Sequence, residues 1–377
     1  MNLSGRLMIK SQFINRLSKC MLGMSLSMHC TFAASQEFDI DITAFGDSAF
    51  IGGNKLLGDG NNRLIIPHLK GVEVLRSKDI NFMNLEATLS EECRKFAEKT
   101  FSFVMTPKAL GEYLKWGMNF IGLANNHSID CVDPYPFAYI EPIMAGLQKQ
   151  YPNTRYHGVA PNVGNLIKNL AVREIRGVSI GMVSIKGWDN GAAFPLANIA
   201  NRVKIFKSLQ AQKHDVRILS LHGGVESTRQ PGLVVVEVAR DFINQYDGDI
   251  VFAHHPHLMQ GVEVIKKKNG RHGVIFYSLG NGLHNGLSPR GDGLVAKVLV
   301  NKNGVNKNGI NVFPLKYASF NPRPFKVQEI KGALAELEDS NKLIPVFKKT
   351  SSGNERVPIR FQTISSPAQG GQVVLVE

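Results

Sequence analysis

The chain alternates short apolar runs with amphipathic stretches, and several apolar runs stop at a small polar cluster. Phe38 to Phe45 alternates apolar and polar side chains, a strand pattern, and ends at Gly46-Asp47-Ser48. Ile80 to Met83 runs into Asn84-Leu85-Glu86, and Phe120 to Ala124 runs into Asn125-Asn126-His127. Val178 to Ile185 reads as a further strand, followed by a loop to Asn198. Val216 to Leu221 ends at His222-Gly223-Gly224, and the run Ile250 to Ala253 empties into His254-His255-Pro256-His257. Helical patterns fill the gaps. An amphipathic stretch covers 67–78, Thr106 and Pro107 open a helix to Trp116, and 136–150 carries Pro142, which predicts a kink or a late start. Residues 199–213 and 233–246 complete the set. Strand, polar cluster and helix alternate five times, the pattern of an α/β fold with a mostly parallel central sheet. From Val274 the chain changes to strands and turns, with Leu294 to Val300 and Ile310 to Tyr317 as the clearest strands. Beyond 321 one helix over 330–338 precedes a basic tail, together read as a partly flexible C-terminal extension.

Parallel strand ends in an open α/β sheet converge on one edge, where ligands bind. The polar clusters would therefore share a cleft. Asp47, Asn84, Glu86, Asn126, His127, His222, His255 and His257 are all of metal-ligand type. His-x-His on an extended segment sets both imidazoles on one side, and Pro256 between them fixes one φ. Taken singly, each cluster has a bland reading: Gly-Asp is a common turn and Asn-Asn-His a helix cap. Recurrence at one topological place is what points to chemistry. A mixed carboxylate, amide and imidazole set suits Mn, Fe or Zn better than Ca, and it does not fit structural zinc.

Charge narrows the choice of partner. The chain has a net charge of +13 at pH 7, and its first 34 residues hold four basic residues and no acid, which leaves +9 for the remainder. A basic protein suits an anionic partner such as a phosphate ester, a polyanionic polymer or a membrane surface. No basic helix with interleaved aromatics and no zinc-finger spacing is present, so nucleic acid is not expected. Residues 1–34 are ordered as an export signal: Arg6 to Lys19 is basic, Cys20 to Met28 is mostly apolar, and Ala33-Ala34-Ser35 offers a cleavage site. The apolar run is too short and interrupted for a membrane-spanning helix. Export to the periplasm or cell envelope is the expectation, and Cys93 and Cys131 would there be either a disulfide or two free thiols, between which the sequence does not choose.

Six motifs occur in order: Gly46-Asp47; Asn84-Leu85-Glu86; Ala124-Asn125-Asn126-His127 with Asp130; His222-Gly223-Gly224-Val225-Glu226; Ala253-His254-His255-Pro256-His257; and Tyr277-Ser278-Leu279-Gly280-Asn281. This set resembles the capsule-synthesis family typified by the poly-γ-glutamate capsule protein CapA, over residues 40–320. The resemblance implies a layered α/β/β/α sandwich of the metallophosphatase (calcineurin-like) type over 35–320. It implies that Asp47, Glu86, Asn126, His222, His255 and His257 hold one or two divalent metal ions. It further implies that His127 acts as general acid or oxyanion stabiliser, with Asp130 and Glu226 supporting the histidines. The sequence departs from the pattern at four places. Ala253 replaces a glycine and Gly223 an aromatic residue; Ala49 stands where ordinary metallophosphatases have a histidine, and Glu86 where they have a bridging Asp. The implied function is an exported metal-dependent hydrolase of an anionic polymer (poly-γ-glutamate type) or a phosphate ester, working beside membrane-bound capsule-synthesis proteins. The alternative is a non-catalytic component that binds and exports polymer.

Overall fold

In the computed structural model two β-sheets pack face to face, and helices cover their outer surfaces. The structure describes residues 39–51, 55–58, 72–284, 292–318, 321–324, 326–345, 353–364 and 370–376. The export signal expected at 1–34 and the first five residues of the amphipathic stretch at 67–78 lie outside the described residues. Early strands are β1 (Ile40–Ala49), β2 (Ile80–Leu85), β3 (Phe120–Gly122) and β4 (Arg155–His157). The middle of the chain gives β5 (Ala171–Ile175), β6 (Val178–Lys186), β7 (Val216–His222), β8 (Ile250–His254), β9 (Val262–Lys266) and β10 (His272–Phe276). There follow β11 (Asn281–His284), β12 (Asp292–Asn301), β13 (Gly304–Ala318), β14 (Glu355–Val357), β15 (Ile359–Ile364) and β16 (Gly370–Leu375). The main helices are α1 (Pro107–Trp116), α2 (Ile140–Gln150), α3 (Val163–Lys168), α4 (Arg202–Ala211), α5 (Leu233–Gln245) and α6 (Val327–Lys342).

The first sheet has the order β15-β16-β13-β12-β1-β2-β3-β4, with β11 also paired to β1. The second has the order β5-β6-β7-β8-β10-β9-β14. The expectation of one central sheet is thus corrected to two, as the layered sandwich requires. The sequence pattern cannot separate them, because each sheet is covered by helices on one face and by its partner on the other. Central strands of both sheets are buried on both sides and read alike. Between the sheets Ile42, Ala44 and Phe82 meet Ile180, Ile218, Phe252 and Phe276 in one fully buried layer. Phe82 stacks on Phe252, and Phe252 on Phe276, each at 5.6 Å between ring centroids. The outer layers hold Leu110 and Tyr113 of α1, Met144 and Leu147 of α2, Ile205 and Phe206 of α4, and Val238 and Phe242 of α5.

Local signals set the helix ends. Thr106 accepts a hydrogen bond from the Ala109 N–H, Pro107 opens α1, and Gly117 closes it at φ 117°. Pro142 falls in the first turn of α2, where its missing N–H costs nothing. The helix accordingly starts late, after a 3₁₀ turn at Pro136–Ala138. The segment set apart as a C-terminal extension adds strands to both sheets: β16 pairs with β13, and β14 with β9. No helix among the described residues is long and apolar enough to cross a membrane.

One close approach fixes the centre of the first sheet. The Asp47 N–H donates to the Gly280 carbonyl at 2.9 Å, and a Cβ on Gly46 would stand 2.1 Å from that same oxygen. Neither backbone can retreat without breaking the β1–β11 pairing. Gly46→Ala should therefore destabilise the protein by roughly 2–4 kcal/mol. Gly146, in α2, has open space where its Cβ would be, so Gly146→Ala should instead stabilise by about 0.5–1 kcal/mol. Urea midpoints of the two variants check the contrast.

Candidate metal centre

The polar clusters gather where strands of the two sheets end side by side. Asp47 lies near the end of β1, in register with Asn84 on one side and Asn281 on the other. Glu86 follows β2 directly, and Asn125, Asn126 and His127 form the turn after β3. The second sheet supplies His222, the last residue of β7, in register with His254 at the end of β8. The first sheet thus brings the carboxylates, the amides and His127, and the second the other imidazoles.

Asp47 and Glu86 are both fully buried. His222 Nδ1 stands 3.5 Å from Asp47 Oδ1, and its Nε2 3.7 Å from Glu86 Oε1. His257 repeats the arrangement, with Nδ1 3.5 Å from Asp47 Oδ2 and Nε2 3.8 Å from Glu86 Oε1. Two groups have ligand atoms within 4.8 Å of one another: Glu86 with His255 and His257, and Asp47 with Glu86 and His222. Glu86 belongs to both. Asn126 adjoins the second group, with Oδ1 2.7 Å from His222 Nε2. The six residues expected as ligands are therefore brought together.

Burial alone would push the Asp47 carboxyl up, but the hydrogen bond and charge of His222, with His257 and His254 behind it, hold it well below the usual range. Burial, then repulsion from Asp47 and Glu226, pushes the Glu86 carboxyl well above its ordinary value. Burial drives His254 and His255 down to about 3. It also lowers His222 against the pull of Asp47. Among the described residues neither Glu86 oxygen has a hydrogen-bond partner. A buried carboxylate left in this state is costly, and a divalent cation among these imidazoles would satisfy it. The donor set fits such an ion.

The histidine segment departs from the extended geometry expected of it. β8 stops at His254, and His255 and His257 take φ of 98° and 56°. Such conformations cost a side-chain-bearing residue on the order of 1–3 kcal/mol. They turn the two rings to within 6.0 Å of each other, centroid to centroid. The His255 N–H also donates to Asp47 Oδ2 at 2.9 Å.

His127 belongs to neither ligand group. Its Nδ1 lies 2.5 Å from Asp130 Oδ2, and its ring stacks on Phe103 at 4.3 Å. Burial lowers its pKa against the pull of Asp130. The Thr88 hydroxyl donates to the His127 carbonyl and accepts from the Asp130 N–H, which fixes this turn. Glu226 is exposed, 3.9 Å from His255 Nε2. Cys93 and Cys131 are joined as a disulfide, with Cα atoms 5.7 Å apart.

Sequence reasoning counted Asn84 among the ligand-type residues but gave it no role, and it passed over Asn281, Lys99 and Trp188. Asn84 Nδ2 donates to Asp47 Oδ1 at 2.8 Å and stands 3.1 Å from His222 Nδ1. Asn281 Oδ1 lies 3.1 Å from His257 Nδ1; that contact holds the ring with Nε2 toward Glu86. Lys99 Nζ lies 2.5 Å from Asp130 Oδ1 and 3.3 Å from His127 Nδ1. Trp188 meets His255 edge to face at 4.7 Å. Asn84 and Asn281 sit inside quoted motifs and were visible as such. Lys99 and Trp188 lie in loops with no pattern to mark them.

The layered α/β/β/α sandwich expected from the motifs is present, with carboxylates, amides and imidazoles at its strand ends. The bacterial capsule synthesis protein family PGA_cap matches residues 42–134 and 146–285, segments that contain every ligand-type residue above, and the chain belongs to that family. The PGA biosynthesis protein CapA of Bacillus subtilis (strain 168) is 29% identical over 224 residues, 57% of this chain and 55% of that protein. The capsule biosynthesis protein CapA of Bacillus anthracis is 21% identical over 274 residues, 70% of this chain and 62% of that protein. The chain thus spans little more than half the length of these relatives. Among solved structures, a phosphatase of Mycoplasma pneumoniae aligns with a TM-score of 0.44 at 13% identity, covering 74% of this chain and 94% of that one. A protein of Thermus thermophilus aligns with a TM-score of 0.38 at 8% identity, covering 70% of this chain and 100% of that one.

Two measurements probe the centre. Asn281→Ala frees the His257 ring and should weaken divalent-metal affinity by about 10–100-fold, the usual cost of losing a group that orients a ligand; competition with a fluorescent chelator reads it. Among the described residues neither ring nitrogen of His254 is hydrogen-bonded, and burial lowers its pKa from 6.5 to about 3. The folded state therefore binds fewer protons between these values, and stability present above pH 6.5 is lost as pH falls toward 3. In metal-stripped protein, His254→Asn should flatten that loss by an amount on the order of 4 kcal/mol, seen in urea midpoints across pH.

Proposed function

We propose that this chain is an exported, metal-dependent hydrolase of capsule or envelope polymer metabolism, acting on an anionic polymer of the poly-γ-glutamate type or on a phosphate ester. The observation that carries the reading is Glu86, a buried carboxylate shared by two ligand groups, with both oxygens unsatisfied among the described residues. Asp47, Glu86, Asn126, His222, His255 and His257 would hold one or two ions of Mn, Fe or Zn. A bound ion of this kind supplies Lewis acidity and lowers the pKa of water for attack. The protein's own residues do the rest. Asp130 takes the His127 Nδ1 side, so Nε2 is the ring nitrogen left for proton transfer to a leaving group. The Lys99 ammonium balances Asp130 and keeps that carboxylate from charging the imidazole. Asn84 and Asn281 orient Asp47, His222 and His257. The polymer is taken from the relatives' names, and the net positive charge of the chain is consistent with it. Export is supported by the order of residues 1–34 and by the Cys93–Cys131 disulfide, a bond that persists in oxidising compartments.

His127 and His257 separate the steps. His257→Ala should lower metal content, measured by elemental analysis. His127→Ala should leave metal content near that of the unmodified protein and lower hydrolysis of polyglutamate or a chromogenic phosphodiester by about 10²–10⁴-fold. Equal metal loss in both variants would make His127 a ligand. A metal-loaded protein with no turnover on either substrate would make it a polymer-binding component instead.

A further inference from the structure

Lys186 ends β6 in register with His222 of β7, and register partners in parallel strands present their side chains on the same face. Its ammonium lies over the Trp188 ring, 5.8 Å from the centroid. Trp188 in turn meets His255 at 4.7 Å and His222 at 6.2 Å. The charge is therefore one aromatic ring away from two of the candidate ligands. Lys186 is half-buried, and no carboxylate among the described residues pairs with it, whereas nearby Lys99 is matched by Asp130. Burial and the charge of Lys99 both lower its pKa. A cation held in this way, against an aromatic face and without a counter-charge, is relieved by an incoming anion.

We propose that Lys186 and Trp188 form a subsite beside the metal centre that takes a second anionic group of the substrate, a carboxylate or a phosphate next to the group at the metal. The inference rests on the metal-centre reading above and adds to it a charge requirement one unit along the substrate. In a polyglutamate that unit is a neighbouring carboxylate; in a phosphate ester it is a further phosphate. Lys186 here binds and positions, and Trp188 walls the cation from water.

The chain has two tryptophans, so Trp116→Phe leaves Trp188 as the sole indole reporter. The full metal-loaded protein in this background is titrated with a γ-linked glutamate oligomer, its side-chain-amidated counterpart and inorganic phosphate, while emission is followed. The charged oligomer should change Trp188 emission and the amidated one should not. Lys186→Gln should weaken that binding about tenfold, as loss of one charge-assisted contact implies, with metal content unchanged. Lys186→Arg should retain most of the affinity. A response to the oligomer alone assigns the subsite to carboxylate, and a response to phosphate assigns it to phosphate. Equal affinity in Lys186→Gln, or no response to either charged probe, overturns the subsite. Lys186-dependent binding without hydrolysis by the Trp116→Phe protein would leave the subsite standing and remove the hydrolase reading. Unchanged binding and hydrolysis in Lys186→Gln would do the reverse.

Discussion

Two carboxylates buried side by side are the constraint around which this protein is arranged. Asp47 and Glu86 have no exposed surface, and the like charges of two adjacent acids cannot be buried together without compensation. The first sheet brings them together by pairing β1 with β2, and the second sheet supplies the imidazoles that face them. The seam between the sheets is therefore where the electrostatic cost is met. Asn84 and Asn281 flank Asp47 on neighbouring strands and tie the sheet register to the site. The tight passage of Gly46 against Gly280 follows from the same demand, because β11 must come close enough to present Asn281.

The elements with strong periodicity were legible in the sequence. Pro107–Trp116 is framed by Thr106 and Gly117, and β7 and β8 are continuous apolar runs. The motifs at strand ends located the ligand-type residues because a polar cluster after an apolar run has few structural uses. The division into two sheets was not legible from periodicity, since Met83 of the first sheet and Phe252 of the second sit in strands with the same burial on both faces. The left-handed turn at His255 and His257 was also hidden, because backbone conformation there follows from contacts with Asp47 and Asn281 more than 20 residues away in sequence. Lys99 and Trp188 were missed for the same reason: only the folded loops bring them to His127 and His255.

The loop that carries Lys99 and Phe103 reaches His127 across a small antiparallel pairing of Lys95–Phe96 with Cys131–Asp133. The Cys93–Cys131 disulfide closes the same junction. Phe103 against the His127 ring and the Phe103 N–H on Asp130 complete it. The proposed proton-transfer residues are thus held by a covalently tied loop, while the ligand-type residues are held by sheet pairing. The two halves of the site have separate mechanical supports.

The positive φ angles at His255 and His257 bear on how this sequence can change. At both positions glycine would suit the backbone better than any residue with a Cβ, so a population selected for stability alone would drift toward glycine there and empty the centre of its imidazoles. Histidine persists at such positions only while something other than folding rewards it. Directed evolution of the chain for heat resistance would therefore need a functional screen at every round, with these two codons as the first casualties when that screen is relaxed.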